Sequence, residues 1–120
     1  MALKFTLEDA PPLGRDSVSG RIYSTTADFD RLSAVRIETR EGVRHGLIKN
    51  IACDRLYLVL SGHGTFSIDG ECIAVEETDL LIIPRGTPYD YWGRMSLLLV
   101  HAPANIDEAD INLEEPPFDL

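Results

Sequence analysis

The chain has 120 residues, 44% of them apolar, and this size favours one globular domain with a buried core. Its 20 acidic residues outnumber 11 basic ones and give a formal net charge of −9, which disfavours phosphate backbones and anionic membrane surfaces as partners. We therefore expect neither a nucleic-acid polymer nor a membrane as a partner.

The N-terminal segment, MALKFTLEDAPP, is acidic and lacks the continuous apolar run of a signal peptide. The longest apolar runs, LLII and LLLV, are far shorter than the roughly 20 residues that cross a bilayer. We expect a soluble, cytoplasmic protein. Cys53 and Cys72 lack metal-type spacing, so we expect them to be reduced, buried and inert.

From Gly20 onward, apolar residues alternate with polar ones or form short runs between Gly, Pro and Asp, and no long amphipathic helix is indicated. This pattern predicts an all-β chain. In chain order, the predicted strands are GRIYSTT, SAVRIETRE, HGLIKNIA, RLYLVLS, GTFSID, ECIAVEE, DLLIIP, YDYW and MSLLLVHA. Many short strands of this kind favour a closed or sandwiched β fold.

Two turn signals lie in the middle of the chain. Asp69 and Gly70 stand between two alternating runs, which is a strong hairpin signal. His63 lies between two glycines, and we expect it to be an exposed turn residue.

Strand alternation assigns side chains to faces. In RLYLVLS, Arg55, Tyr57 and Val59 share one face, and three leucines share the other. We expect the leucine face to pack in the core or under the N-terminal segment, and Arg55 and Tyr57 to line an enclosed cavity. By the same parity Tyr89 and Tyr91 point together.

The order RLYLVLSGHGTFSIDGE, VEETDLLIIPRGTPYDY, LLLVHAPA resembles that of the small cupins, which are single-domain jelly-roll β-barrels. The matching positions are Gly62, Asp69, Gly70, Asp79 and the Pro84-Arg85-Gly86 turn. The resemblance implies a cupin domain at residues 1–104, with a core at about 33–104 and an N-terminal strand arm at 1–32. Residues 105–120 would form an acidic C-terminal arm or tail.

Metal-binding cupins carry a His-x-His pair followed by Glu, and a second-motif His after the Pro-x-Gly turn. In this sequence Arg55 stands at the Glu position, Tyr89 stands at the second His position, and the paired-His region reads IKNIACD. A divalent metal needs several converging imidazoles or carboxylates, and a guanidinium among them would oppose the cation. We expect no metal and no other cofactor.

The chain resembles one group of metal-free cupins more closely, the uridine-5′-aldehyde dehydratases of uridyl-peptide (pacidamycin-type) antibiotic biosynthesis. The similarity runs nearly end to end and includes LYLVLSGHGTF and YWGRMSLLLVHAPA. These enzymes use two tyrosines and one histidine, and the resemblance implies that Tyr57 and Tyr91 are the catalytic tyrosines. Val43 stands at the histidine position, and His45 follows two residues later. We expect His45 to be the catalytic histidine through a small difference in loop length.

These residues suit β-elimination beside a carbonyl, which needs a base, an acid and donors to the developing oxyanion. An imidazole moves the proton, and tyrosine hydroxyls are neutral donors. Arg55 would grip a carboxylate, a phosphate or a base carbonyl, and its protein partner would be Asp54 or a carboxylate of the tail. The further candidates for substrate binding are Tyr89, Asn50, Tyr23 and His101.

Three functions remain open. The leading hypothesis is a metal-independent lyase that dehydrates a small carbonyl compound such as a nucleoside 5′-aldehyde. The second is a metal-free sugar isomerase or epimerase, which uses the same enolisation. The third is a non-catalytic cupin that binds a small ligand, and it is favoured if neither His45 nor His101 faces the cavity. The oligomeric state is left open between monomer and homodimer.

Overall fold

The computed structural model describes residues 3–120, so the first two residues of the expected N-terminal arm lie outside the described range. The strands are β1 (Val18–Ile22), β2 (Ser33–Thr39), β3 (Ile48–Asn50), β4 (Asp54–Ile68), β5 (Glu71–Glu76), β6 (Leu80–Ile83), β7 (Tyr89–Ala102) and β8 (Asp110–Asn112). One 3-10 turn, Asp107–Ala109, precedes β8. Because no α-helix occurs in residues 3–120, the all-β prediction is confirmed. Within the same residues, no helix has the length and apolar character needed to span a membrane.

The two long strands, β4 and β7, organise the sheet. They pair antiparallel from Asp54 opposite Ala102 to Ile68 opposite Tyr89. The other edge of β7 pairs with β2 and β3, and β4 also pairs with β5 and β6. The path continues to β1 beyond β2 and to β8 beyond β3. Because β4 and β7 each pair with other strands along both of their edges, the sheet curls around a single interior.

β4 contains two segments that the sequence predicts as separate strands, RLYLVLS and GTFSID. The register with β7 shifts between Val59 and Ser61, which changes the inward positions from odd to even numbers. Tyr57 and Val59 are therefore buried before the shift, and Phe66 is buried after it. YDYW and MSLLLVHA likewise form one strand, β7.

Gly62 allows the close approach of β4 and β7 just after this shift. Its φ is +83°, and a Cβ there would lie 1.9 Å from the carbonyl oxygen of Arg94. Only glycine fits that position. His63 is exposed, as expected, but it lies within β4, so the prediction of a turn was wrong because the chain continues as a strand through the glycines.

The leucine face of β4 is only half-buried, at Leu56, Leu58 and Leu60. The N-terminal segment does not cover it, because that segment runs beside β1, where the N–H of Leu13 donates to the carbonyl of Gly20. The expectation of a covered leucine face was therefore wrong. The packed core lies on the opposite face, around Val59, Phe66, Val75, Met95 and Leu97.

Both cysteines are free. Cys53 is buried, whereas Cys72 is exposed, since its side chain lies on the outward side of the edge strand β5. The prediction of two buried thiols is thus correct for Cys53 and wrong for Cys72.

The segment after β7 returns to the barrel. Asp110 pairs with Asn50 and Asn112 with Ile48 as β8 joins β3. This pairing brings carboxylates of the acidic C-terminal segment to the same end of the barrel as Arg55, which is 55 residues earlier in the chain than Asp110.

Candidate functional site

A cavity of about 650 Å³ opens at one end of the barrel, and this volume is within the range of small-molecule sites. One part of its wall is aliphatic and the remainder is polar or aromatic. The aliphatic side chains are Leu13, Ile22, Val35, Ile37, Ile48, Leu99 and Ile106. The polar and aromatic side chains include Arg15, Ser24, Thr25, Thr26, Ser33, His45, Arg55, Tyr57, Tyr89, His101, Asn105, Asp107, Glu108 and Asp110.

The structure brings five of the eight predicted site residues to this cavity. They are His45, Arg55, Tyr57, Tyr89 and His101. The other three, Tyr91, Asn50 and Tyr23, are not among the lining residues of the described chain.

His45 is nearly fully buried and is oriented by its backbone neighbours. Its Nδ1 lies 2.8 Å from the carbonyl oxygen of Gly46, and because a carbonyl only accepts, Nδ1 carries the proton and donates. Nε2 therefore holds the lone pair. Burial and the nearby guanidinium of Arg15 lower the pKa of His45 well below its ordinary value of 6.5, so the ring is a neutral acceptor at neutral pH.

Aromatic rings hold the His45 imidazole in place. It stacks on Tyr91 with ring centroids 4.5 Å apart and an interplanar angle of 21°, and on Tyr89 at 5.9 Å and 13°. The other face of Tyr91 stacks on Phe66 at 4.8 Å. Arg15 and Ser17 fix the backbone, since both donate to the carbonyl oxygen of His45.

Tyr57 and Tyr89 form a hydroxyl pair, with their oxygens 2.8 Å apart. Nη1 of Arg55 donates to the Tyr89 hydroxyl at 2.6 Å. One of the two O–H groups joins the tyrosines to each other, which leaves the second O–H to donate to a ligand in the cavity. Burial, together with Tyr89 and Tyr91, raises the pKa of Tyr57 well above its ordinary value of 10.0, so the hydroxyl stays protonated.

Arg55 is 5% exposed and is paired with the C-terminal segment. Its Nη2 donates to Oδ1 of Asp110 at 2.6 Å. Of the two partners that the sequence left open, the tail carboxylate is therefore the one used. Asp54 instead accepts from Arg85 on the surface, at 3.2 Å.

Tyr91 is fully buried behind His45. Within residues 3–120 its hydroxyl has no hydrogen-bond partner. Its ring stacks on His45 and meets the ring of Tyr57 edge-on at 5.4 Å, so Tyr91 contacts the site through these two residues.

Asn50 and Tyr23 are not among the residues that line the cavity, although each adjoins one that does. Oδ1 of Asn50 accepts from the backbone N–H groups of Ala52 and Cys53, and its Nδ2 donates to Asp110, so Asn50 shapes the turn that leads into β4. Tyr23 is half-buried beside β2, where its N–H donates to the carbonyl of Ala34.

Asp90 is a positioning residue outside the cavity that sequence reasoning missed. Strand parity places it opposite Tyr89 and Tyr91, yet it is buried, because the 44–47 segment packs over that side of β7. Its Oδ1 accepts from the N–H of Gly46 at 2.8 Å, and its Oδ2 pairs with Arg44. Asp110, Ser33 and Arg15 were also missed as site residues, and no local pattern marks them.

Within the described residues, no group of three or more His, Cys, Asp or Glu side chains is placed to hold a metal ion. Arg55, which the sequence resemblance aligns with the glutamate ligand of metal cupins, lines the cavity and carries a charge that opposes a cation.

No protein-family model and no curated protein matches the chain. Among solved structures, Pac13, described as a unique nucleoside dehydratase, aligns with a TM-score of 0.84 and 23% identity over 95% of this chain and 92% of that chain. Variants of Streptomyces PAC13 have been solved with uridine. KdgF from Halomonas sp. aligns with a TM-score of 0.76 and 14% identity, over 90% of this chain and 99% of that one.

Oxalate decarboxylase from Bacillus subtilis aligns over 91% of this chain but 31% of its own, with a TM-score of 0.77 and 18% identity. These likenesses confirm the cupin β-barrel fold and the resemblance to a nucleoside dehydratase structure. At such identities they establish the fold, and the activity has to be argued from the site.

Proposed function

We propose that this protein is a metal-independent cupin lyase that dehydrates a small carbonyl compound, with nucleoside 5′-aldehydes as the substrate class. One observation carries the proposal. The same cavity is lined by the neutral imidazole of His45, whose Nε2 is free, and by the hydroxyl pair of Tyr57 and Tyr89. The guanidinium of Arg55 polarises that pair.

The imidazole supplies the proton transfer. The carbonyl acidifies the adjacent C–H, Nε2 of His45 removes that proton, and the electron pair moves onto the carbonyl oxygen. When the carbonyl re-forms, the bond to the β-hydroxyl breaks and the hydroxyl leaves as water with the proton from His45. Such a base is typically worth roughly 10²- to 10⁴-fold in rate.

The hydroxyl pair supplies oxyanion stabilisation. Because Arg55 donates to the Tyr89 oxygen, it makes the hydroxyl pair a better donor to charge that develops on the substrate. One donor of this kind in a water-excluded site lowers the activation barrier by roughly 3 kcal/mol.

The wall of the cavity suits a nucleoside. Its aliphatic side, including Val35, Ile37 and Leu99, matches the faces of a base and a sugar ring, and the hydroxyl groups of Ser24 and Thr25 lie along another part of the wall. The fold is similar to that of the nucleoside dehydratase Pac13, variants of which were solved with uridine, and this similarity supports the substrate class.

His45 and His101 both line the cavity. A general base is therefore present in it, which supports catalysis over simple ligand binding. The isomerase alternative shares the enolisation step but has no comparable support from the solved structures. Mass spectrometry separates the two, because only dehydration loses water.

The test is to incubate the purified protein with uridine-5′-aldehyde and follow loss of water by mass spectrometry, before and after treatment with a chelator. We expect turnover that survives chelation and falls by roughly 10²-fold or more in His45→Gln. His63→Gln is the matched control, since His63 is exposed on β4 outside the cavity.

Other outcomes would contradict the proposal in distinct ways. Solvent deuterium in the substrate without loss of water would indicate an isomerase. Saturable binding without any reaction would indicate a ligand-binding cupin. Activity lost on chelation and restored by a metal would refute metal independence.

A further inference from the structure

His101 faces the same cavity as His45 but has a different hydrogen-bond environment. On β7 it lies directly opposite Ser33 of β2 and, on its other side, Arg55 of β4. It is 2% exposed and lines the cavity. Strand pairing on both sides therefore sets the position of this residue.

The bonds of Ser33 determine which nitrogen of His101 carries the proton. Ser33 Oγ accepts from the N–H of Asn105 at 2.9 Å and lies 3.5 Å from Nδ1 of His101. Ser33 is 1% exposed, and among its side-chain contacts within residues 3–120 only Nδ1 of His101 can accept from its O–H. Nδ1 of His101 is such an acceptor, which leaves the imidazole proton on Nε2. His101 thus presents an N–H donor.

His45 has the opposite polarity. Its Nδ1 is the donor, to Gly46, so its Nε2 is an acceptor. The cavity therefore contains one imidazole that accepts and one that donates. Elimination beside a carbonyl uses both, an acceptor for the C–H proton and a donor for the carbonyl oxygen.

We propose that His101 donates a hydrogen bond from Nε2–H to the carbonyl oxygen of the substrate, while His45 takes the proton from the adjacent carbon at its own Nε2. This inference rests on the proposed dehydration and deepens it. The C–H bond breaks, the proton passes to His45, and the electron pair on the carbonyl oxygen is stabilised by His101. The departing hydroxyl recovers the proton from His45, so atoms and electrons balance without an oxidant or reductant.

His101 acts here as a neutral donor and not as a source of protons. Burial, with the nearby guanidinium of Arg55, lowers the pKa of His101 to about 3. The ring is therefore uncharged over the neutral range, and a neutral imidazole can polarise a carbonyl without releasing its proton.

Nitrogen-15 NMR of protein labelled at histidine tests the polarity without any substrate. At neutral pH we expect the proton on Nε2 in His101 and on Nδ1 in His45. A proton on Nδ1 of His101 would overturn the inference.

Kinetics test the role. With uridine-5′-aldehyde, His101→Phe is expected to lower kcat by roughly 10²- to 10³-fold. Uridine lacks the carbonyl at this position, so its Kd for His101→Phe should stay within about threefold of its Kd for the unmodified protein. A tenfold change in Kd would correspond to about 1.4 kcal/mol. His101→Gln, whose side-chain amide can donate in place of Nε2–H, should recover part of the rate, and His63→Phe should change neither quantity. An unchanged kcat in His101→Phe, or equal losses in kcat and uridine affinity, would overturn the inference.

A binding measurement separates this inference from the proposed reaction. We expect uridine-5′-carboxamide, a stable carbonyl ligand, to bind about tenfold more tightly than uridine, the effect of about one net hydrogen bond. His101→Phe should abolish that difference. If the protein shows no dehydration but the difference is present and lost in His101→Phe, the reaction is refuted and the donor role stands. If the difference is absent, or persists in His101→Phe, the donor role is refuted whatever the turnover.

Discussion

At the scale of single residues, Tyr89 and Tyr91 are a matched pair with different hydroxyl environments. Both lie on β7, both are inward and both are fully buried. The Tyr89 hydroxyl accepts from Arg55 and bonds to Tyr57, whereas the Tyr91 hydroxyl has no partner within residues 3–120. The same substitution at the two positions therefore tests how much the Arg55 network contributes.

We predict that Tyr89→Phe lowers the free energy of unfolding by about 1–3 kcal/mol, because it leaves a buried guanidinium N–H without its acceptor. Tyr91→Phe should change it by less than about 0.5 kcal/mol or stabilise the protein, since it removes an unpaired buried hydroxyl. Urea denaturation of both variants is the measurement. Equal losses in the two variants would show that the Tyr89 hydroxyl contributes no more to stability than the unpartnered Tyr91 hydroxyl.

At the scale of elements, the segment that carries His45 is fixed from two sides. Asp90 of β7 accepts from the N–H groups of Gly46 and Tyr91, each at 2.8 Å. Glu114 in the C-terminal segment accepts from Arg44 at 2.6 Å and from the N–H of Leu47 at 2.9 Å. The imidazole is thereby positioned by groups that never touch the cavity.

We predict that Asp90→Asn lowers the free energy of unfolding by about 1–3 kcal/mol and lowers kcat more than uridine affinity, because Arg44 loses its buried carboxylate partner and the 44–47 segment that carries His45 is less firmly held. Calorimetry and initial rates measure the two effects. Glu41→Gln is the control, since Glu41 and Arg94 pair on the exposed surface and should contribute less than about 1 kcal/mol. If Asp90→Asn behaved like Glu41→Gln, the positioning role of Asp90 would be wrong.

At the scale of the whole molecule, the barrel buries two neutral histidines. The pKa of His45 lies well below 6.5 and that of His101 is about 3 in the folded state. Below pH 6.5 the unfolded chain therefore binds protons that the folded barrel does not. The stability from these groups is complete above the ordinary histidine pKa and decreases as the pH falls through 6.5 toward the folded-state values.

We predict that the free energy of unfolding decreases between about pH 7 and about pH 5, with a slope that approaches about 1.4 kcal/mol per pH unit for each histidine. Replacing one buried histidine, as in His101→Gln, should reduce the slope by about one proton. Urea denaturation at several pH values measures it. A flat profile over this range would contradict neutral burial of both rings.

Part of the candidate site follows from local patterns. Alternation along RLYLVLS places Arg55 and Tyr57 on one face, and the same alternation turns Tyr89 and Tyr91 inward together; the buried positions of β4 and β7 agree. These inferences work because the period of two is a property of the strand backbone itself. The same parity misjudged Asp90, because a segment from elsewhere in the chain covers the outward side of β7 at that point.

The sequence by itself determined that this chain is all-β, that its order of runs and turns resembles the cupins, and that Arg55, Tyr57 and Val59 of β4 face inward, since each depends on residues close together in the chain. Only the tertiary structure decided that Asp110 pairs with Arg55, that Tyr91 stacks behind His45, and that His45 and His101 line one cavity. Those contacts join residues far apart in the chain, and they depend on strand register and on the return of the C-terminal segment, which no local periodicity encodes.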